Sequence, residues 1–440
     1  MAERLLQGPG LAVLGVLVGV PLAYAAAASP TGALAGLAAA IAAALVVLRV
    51  EALLLVLVAA LPWEGALDFP SESVSVVKIL GVLLFAGWIL QAASGTLRVQ
   101  FPEGLIPIAL FGFAIGLSLL FSPDPADGMV KALRYVLFIV FVFLVIQIVV
   151  DRTQVKRILR VFVLSAAVAA AWALFRFLIV GDVPRAAGPI TDPNDFGYLE
   201  ACALPLAGYL LVSERAARPL WALCFALMCG AVLASLSRGA LVGLGGLLLW
   251  ALLTRRVPIG GAVLGAATVL AVGALALVIW SPVINDRLAS HNKIAEQNVD
   301  TRIAFWSGAI RMWEDRPLTG VGVGRFGVEA PNYVRNSRIV LDRPVTHNAY
   351  LEILAESGLI GLIAFGAFLM ETWGLLARAI RTSRARLDAD GSRLATAMQG
   401  TLVVAMVSGT FISAEVTMPF WMIGALAVVV AGTAAGAAHG

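Results

Sequence analysis

The chain has 440 residues, 60% of them hydrophobic and only 13% charged, with a formal net charge of +4. That balance excludes an ordinary soluble domain. Its three cysteines, Cys202, Cys224 and Cys229, all fall in apolar segments at spacings that suit neither a metal site nor a disulfide framework, so they read as packing residues.

In chain order, apolar segments fall near 10–28, 31–49, 51–63, 74–94, 104–121, 129–150, 155–180, 194–213, 219–236, 238–254, 258–280, 348–379, 395–415 and 418–437. Most are long enough to cross a hydrocarbon core as helices. The expectation is an all-α polytopic membrane protein of about fourteen transmembrane helices, or about twelve if the short segments at 31–63 form a re-entrant pair. Arg4 precedes the first segment, which has no obvious small-residue cleavage site and reads as a retained helix rather than a signal peptide. The organisation is one integrated domain: an N-terminal helix bundle over 1–280, a large loop with short helices over 281–346, and C-terminal helices over 347–440. No repeat of solenoid period is present.

Loop charge sets orientation, because positive residues favour the cytoplasm. With the N-terminus inside, Arg49, Arg98, the group Arg152, Lys156, Arg157 and Arg160, then Arg215, Arg218, Arg255 and Arg256 all fall on the cytoplasmic side. The loop carrying Arg378, Arg381, Arg384, Arg386 and Arg393 joins them. The acidic loop with Glu64, Asp68 and Glu72 and the polar stretch Ser281–Val345 fall outside, and both termini inside. Against that rule, Lys78, Lys131, Arg134, Arg176, Arg185, Arg238 and Arg302 sit at or just within external segment ends. A cation there snorkels, pairs or lines a pathway. So many together favour a shared anionic ligand, most naturally a lipid phosphate or diphosphate, which arginine grips with its planar fork.

Several short motifs sit on that external side. Gly188 to Asp195 is turn-rich; Asp192 and Asp195 are too few to specify a metal, and Asn194 or Asp195 is expected to cap the following helix. Glu200, about two turns deeper, is placed to neutralise one of the cations. Ser237-Arg238-Gly239-Ala240 joins two spans with almost no loop, and turning alone does not explain its arginine. Asp300 or Thr301 caps an amphipathic segment bearing Ile303, Trp306, Ile310 and Trp313, with Pro317 beyond its end. Arg302 projects from its first turn, where helix amides also favour anions. Gly322-Val323-Gly324-Arg325-Phe326-Gly327 fits a dinucleotide pattern by letter, but no strand–turn–helix context surrounds it, and a nucleotide site is rejected. These glycines read instead as a loop folding tightly over the membrane mouth. His347 follows the long polar stretch at the start of the next span. As a neutral imidazole it suits proton abstraction from an attacking hydroxyl while the arginines stabilise a departing diphosphate.

His347-Asn348, nine residues, then Gly358-Leu359-Ile360-Gly361 resembles the signature of the bacterial O-antigen ligase and polymerase superfamily. The large loop and the Ser-Arg-Gly turn at 237–239 resemble it too. The resemblance implies a C-type glycosyltransferase fold with one large periplasmic loop. It also implies transfer of a glycan from undecaprenyl diphosphate to an acceptor hydroxyl, with inversion and without cofactor or required metal. His347, Arg238 and Arg302 are the expected catalytic residues, the arginines also binding diphosphate. Lys131, Arg134, Arg185, Asn348 and Asp195 are expected to line the substrate site. The expected partners are the lipid-linked glycan donor, a lipid A–core or glycan acceptor, and membrane lipids, with no nucleic acid. Ligase activity leads; the alternative is an O-antigen or exopolysaccharide polymerase. A transporter or flippase of lipid-linked glycan ranks below both, because the charges gather at one face rather than at midplane. The expected location is the bacterial inner membrane, with the site facing the periplasm.

Overall fold

A computed structural model describes residues 49–67, 76–95, 99–190, 192–255, 301–334, 344–413, 415 and 417–436. The spans expected near 10–28, 31–49 and 258–280 lie outside the described residues. Among those described there is no strand, and eight helices are long and apolar enough to cross a membrane. The chain is an all-α polytopic membrane protein.

The helices are α1 (Val50–Ala60), α2 (Val76–Ala93), α3 (Ile106–Leu120), α4 (Pro125–Ile148), α5 (Arg152–Phe175), α6 (Pro193–Ser213), α7 (Arg218–Ser235) and α8 (Arg238–Leu253). They continue as α9 over 301–315, α10 (Phe326–Tyr333), α11 (Ala349–Ala385), α12 (Ala389–Ser408) and α13 (Met418–Gly436). Short polar side chains start many of them, because the first amides of a helix lack intrahelical partners. Asp124 accepts from Ala126 N, Asp151 and Gln154 form a capping box on α5, and Asp388 accepts from Gly391 N. The Asp388 cap starts α12 six residues ahead of the segment expected at 395–415. The segment expected at 51–63 is the short α1, followed by a 3-10 turn over Leu61–Leu67.

Between helices in lipid, association rests on close packing rather than on water expulsion. Gly243 and Gly246 of α8 let it approach α12, where an added Cβ would lie 2.1 Å from Ser408 Oγ and 2.8 Å from Val407. Around Trp421 of α13, the rings of Phe138 and Phe368 stack at 5.5 and 5.2 Å, joining α4 and α11 through one aromatic layer. At one end of the bundle, Arg152 pairs with Asp388 at 2.5 Å, Lys156 with Asp390 at 2.6 Å and Arg160 with Glu214 at 2.7 Å. Connections that loop charge assigns to one side therefore do meet.

The other end is organised by a break in α11. Gly358 adopts φ 64, ψ −162, a conformation open to glycine and strained for other residues. The break frees carbonyls of the preceding turn, which accept from Val321 N (2.9 Å, at Ala355 O) and Gly322 N (3.1 Å, at Glu356 O). Leu359 N returns a bond to Pro317 O at 2.8 Å. The glycine-rich run thus docks on α11 and α4, with Gly322 at φ 114 and Gly324 at φ 73. Its neighbour Arg325 is buried and paired with Asp127 and Glu329, both at 2.6 Å. A Cβ on Gly358 would sit 2.3 Å from the Leu318 carbonyl. Gly358→Ala is expected to lower stability by at least about 1–3 kcal/mol from backbone strain alone. Thermal unfolding in detergent, with limited proteolysis near 317–322, checks this; an unchanged melting point would count against the docking role of the break.

Candidate active site

Four segments converge at the Gly358 end of the bundle. The first is the turn between α7 and α8. Leu236 takes φ 52, and Ser237 accepts from Ala240 N to cap α8. Gly197 of α6 allows the approach, since a Cβ there would meet Ser235 Oγ at 2.4 Å. Ser408 Oγ donates to Gly239 O at 3.0 Å, fixing the turn to α12. Arg238 is the first residue of α8 and is exposed.

The second segment runs from Asp182 to Asp195. Arg185 lies across the α7–α8 turn, donating through Nε to Ser235 O at 2.7 Å and through Nη2 to Asn194 Oδ1 at 2.8 Å. Asp192, and not Asn194 or Asp195, caps α6 by accepting from Asn194 N at 2.6 Å. An Asp side chain one residue before Pro193 reaches that amide, while Asp195 is already inside the first turn.

Helix α9 carries Arg302. Four residues on, on the same helical face, Trp306 donates through Nε1 to Thr346 O at 2.9 Å. That bond clasps α9 to the fourth segment, the Thr346–Asn348 turn. Here His347 takes φ 50, left-handed for a side chain other than glycine. Asn348 caps α11, accepting from Tyr350 N and Leu351 N at 3.1 Å each. Ala349 N bonds to Gly409 O at 2.8 Å, anchoring the turn to the α12–α13 connection.

The electrostatics follow from this convergence. Burial holds the His347 imidazole below its ordinary pKa, and the Arg302 guanidinium adds to the effect; Asp192 and Glu352 oppose it. Burial likewise lowers the Arg302 pKa, with Arg238 adding and Asp192 opposing. Arg185 is lowered by burial and by Arg302, again against Asp192. Arg302 thus acts on Arg185 and His347 and is itself acted on by Arg238, with Asp192 the carboxylate common to Arg185, Arg302 and His347, a concentration of positive charge suited to an anion. Among the described residues, neither Arg238 nor Arg302 makes a hydrogen bond or ion pair within the chain.

The other expected site residues are placed differently. Lys131 is turned into the bundle, where its ammonium meets Glu352, Glu356 at 2.8 Å and Glu415 at 3.6 Å. It is not directed at the arginines. Arg176 is committed to Asp182 at 2.5 Å. Arg134 is exposed on α4 and faces Asp195 electrostatically. Together with Lys78 and Glu64 it borders an otherwise apolar cavity of about 520 Å³ between α1, α2 and α4. Glu200, expected to neutralise a cation, is buried with no hydrogen bond to its carboxylate among the described residues. The described residues hold no group of histidine, cysteine and carboxylate side chains arranged for a metal. Sequence reasoning missed the Trp306 clasp and the pair Glu352 and Glu356. That pair carried a signal: carboxylates one turn apart in an apolar helix are costly unless they have a role.

Residues 223–366 match the O-antigen ligase family. That match supports the resemblance to the O-antigen ligase and polymerase superfamily over this segment, about a third of the chain. No curated protein matches the chain. The O-antigen ligase match takes in Arg238, Arg302 and His347, and leaves Lys131, Arg134, Arg185 and Asp195 outside it. Members of this family are glycosyltransferase-like enzymes acting on lipid-linked glycans.

Proposed function

We propose that the protein is a glycosyltransferase moving a glycan from undecaprenyl diphosphate to an acceptor hydroxyl, as an O-antigen ligase with lipid A–core as acceptor. The reaction takes place at the periplasmic face of the inner membrane. The observation that carries this reading is the gathering of Arg185 and Arg238 around Arg302, which acts in turn on the half-buried His347 imidazole. Arg238 and Arg302 have their forks free of protein partners among the described residues, as a diphosphate clamp requires. His347, kept neutral by burial and by Arg302, takes the proton of the attacking hydroxyl as its oxygen bonds to the anomeric carbon. The bond to the diphosphate oxygen breaks on the opposite side, and the guanidiniums hold the charge that develops there. Base on one side and leaving group on the other invert the anomeric centre.

Deleting the protein from its host tests the reading. The expected result is full-length glycan retained on the lipid carrier and a bare lipid A–core. Single repeat units attached to the core would instead mean a polymerase, and unchanged surface glycan would overturn the assignment.

A further inference from the structure

Glu352 lies five residues beyond His347 in the first turn of α11 and is buried. Its carboxylate accepts from Thr346 Oγ1 at 2.7 Å, from Ser413 Oγ at 2.6 Å and from the Lys131 ammonium. Thr346 Oγ1 in turn accepts from Asn348 N at 3.2 Å. The two residues flanking His347 are therefore tied through one hydroxyl to one carboxylate. That carboxylate is held from α4 by Lys131 and from the α12–α13 connection by Ser413. Burying an ion pair is poor value for stability alone, since apolar residues of similar size commonly serve as well. Intramembrane ionisable groups call for a functional account.

We propose that Glu352, held by Lys131, is the positioning residue for His347, keeping the Thr346–Asn348 turn in the left-handed conformation that presents the imidazole to the arginine site. The inference rests on His347 acting as the base. The groups facing His347 are Arg302 from α9, Asp192 from the segment ahead of α6, and Glu352 from its own helix. Asp195 of α6 lies close enough to feel Glu352. Removing the Glu352 charge takes away one of two groups that favour the imidazolium, so the imidazole becomes harder to protonate.

The test compares purified full-length variants on the lipid-linked donor. Glu352→Gln is expected to lower kcat by about 10²-fold through misplacement of the imidazole. KM for the donor should stay unchanged, and the acid limb of the pH–rate profile should move to lower pH. Glu352→Asp, which keeps the charge, should restore the acid limb to its original position. Thr346→Val, a mild change that removes only the hydroxyl link, should also lower kcat without raising KM, and it keeps the test decisive if the glutamine variant does not fold. A kcat loss in Glu352→Gln with an unmoved acid limb, or wild-type turnover in Thr346→Val, overturns the positioning role. His347→Ala separates the two readings. Lost transfer there, with wild-type transfer in the Glu352 and Thr346 variants, overturns the positioning role alone. Wild-type transfer in His347→Ala overturns the base reading and this inference with it.

Discussion

His347→Ala is expected to slow transfer by a factor of about 10²–10⁴, the usual share of general-base catalysis. Binding of the lipid-linked donor should change far less, because on the proposed reading the guanidiniums and not the imidazole hold the diphosphate. The pH dependence adds a sign. Burial first, and Arg302 second, hold the imidazole pKa below its ordinary value. The neutral, working form therefore survives into mildly acidic conditions, and the rate falls only once the imidazole protonates. Initial rates between mildly acidic and neutral pH, with donor binding measured separately, check both points. Abolished donor binding with an intact chemical step in His347→Ala would make the histidine a ligand instead of a base.

Arg302→Ala and Arg238→Ala should each cost on the order of 10²–10³ in kcat, as for loss of one donor to a developing oxyanion. Lysine should not rescue either. An ammonium is a point donor without the planar fork, and it cannot make two parallel bonds to a phosphate. Arg302 should be the more sensitive of the two. It is the more buried residue, and α9 holds it over His347 through the Trp306–Thr346 bond. Both variants should insert and melt like the parent, since neither side chain hydrogen-bonds within the chain among the described residues. Near-wild-type transfer by both lysine variants would make these residues headgroup anchors.

Much of the architecture was legible because the bilayer imposes it. A helix must satisfy its own backbone and cover a fixed thickness, so runs of apolar residues announce spans directly. Boundaries moved where caps decided them, as at Asp388 and Asp192. The glycine-rich run reads as a tight loop and is one over 322–325, because φ/ψ freedom is a local property, but Phe326 and Gly327 already belong to α10. Its docking surface was not legible, since the carbonyls it meets are exposed only by the break at Gly358.

The cations show the division most clearly. Sequence by itself determined that Lys131, Arg176, Arg185, Arg238 and Arg302 lie near one face of a helical membrane protein, because hydropathy and loop charge act along the chain. It could not determine which of them remain available to a ligand. Lys131 is matched by Glu352, 221 positions away, and Arg176 by Asp182 only six positions away. Arg185 is used to brace the α7–α8 turn. Arg302 is brought close to both Arg238 and His347 by the packing of α6, α8, α9 and α11. Tertiary structure decided this because charge pairing at these separations depends on distance in space, and a few ångströms divide a neutralised ammonium from a guanidinium open to phosphate.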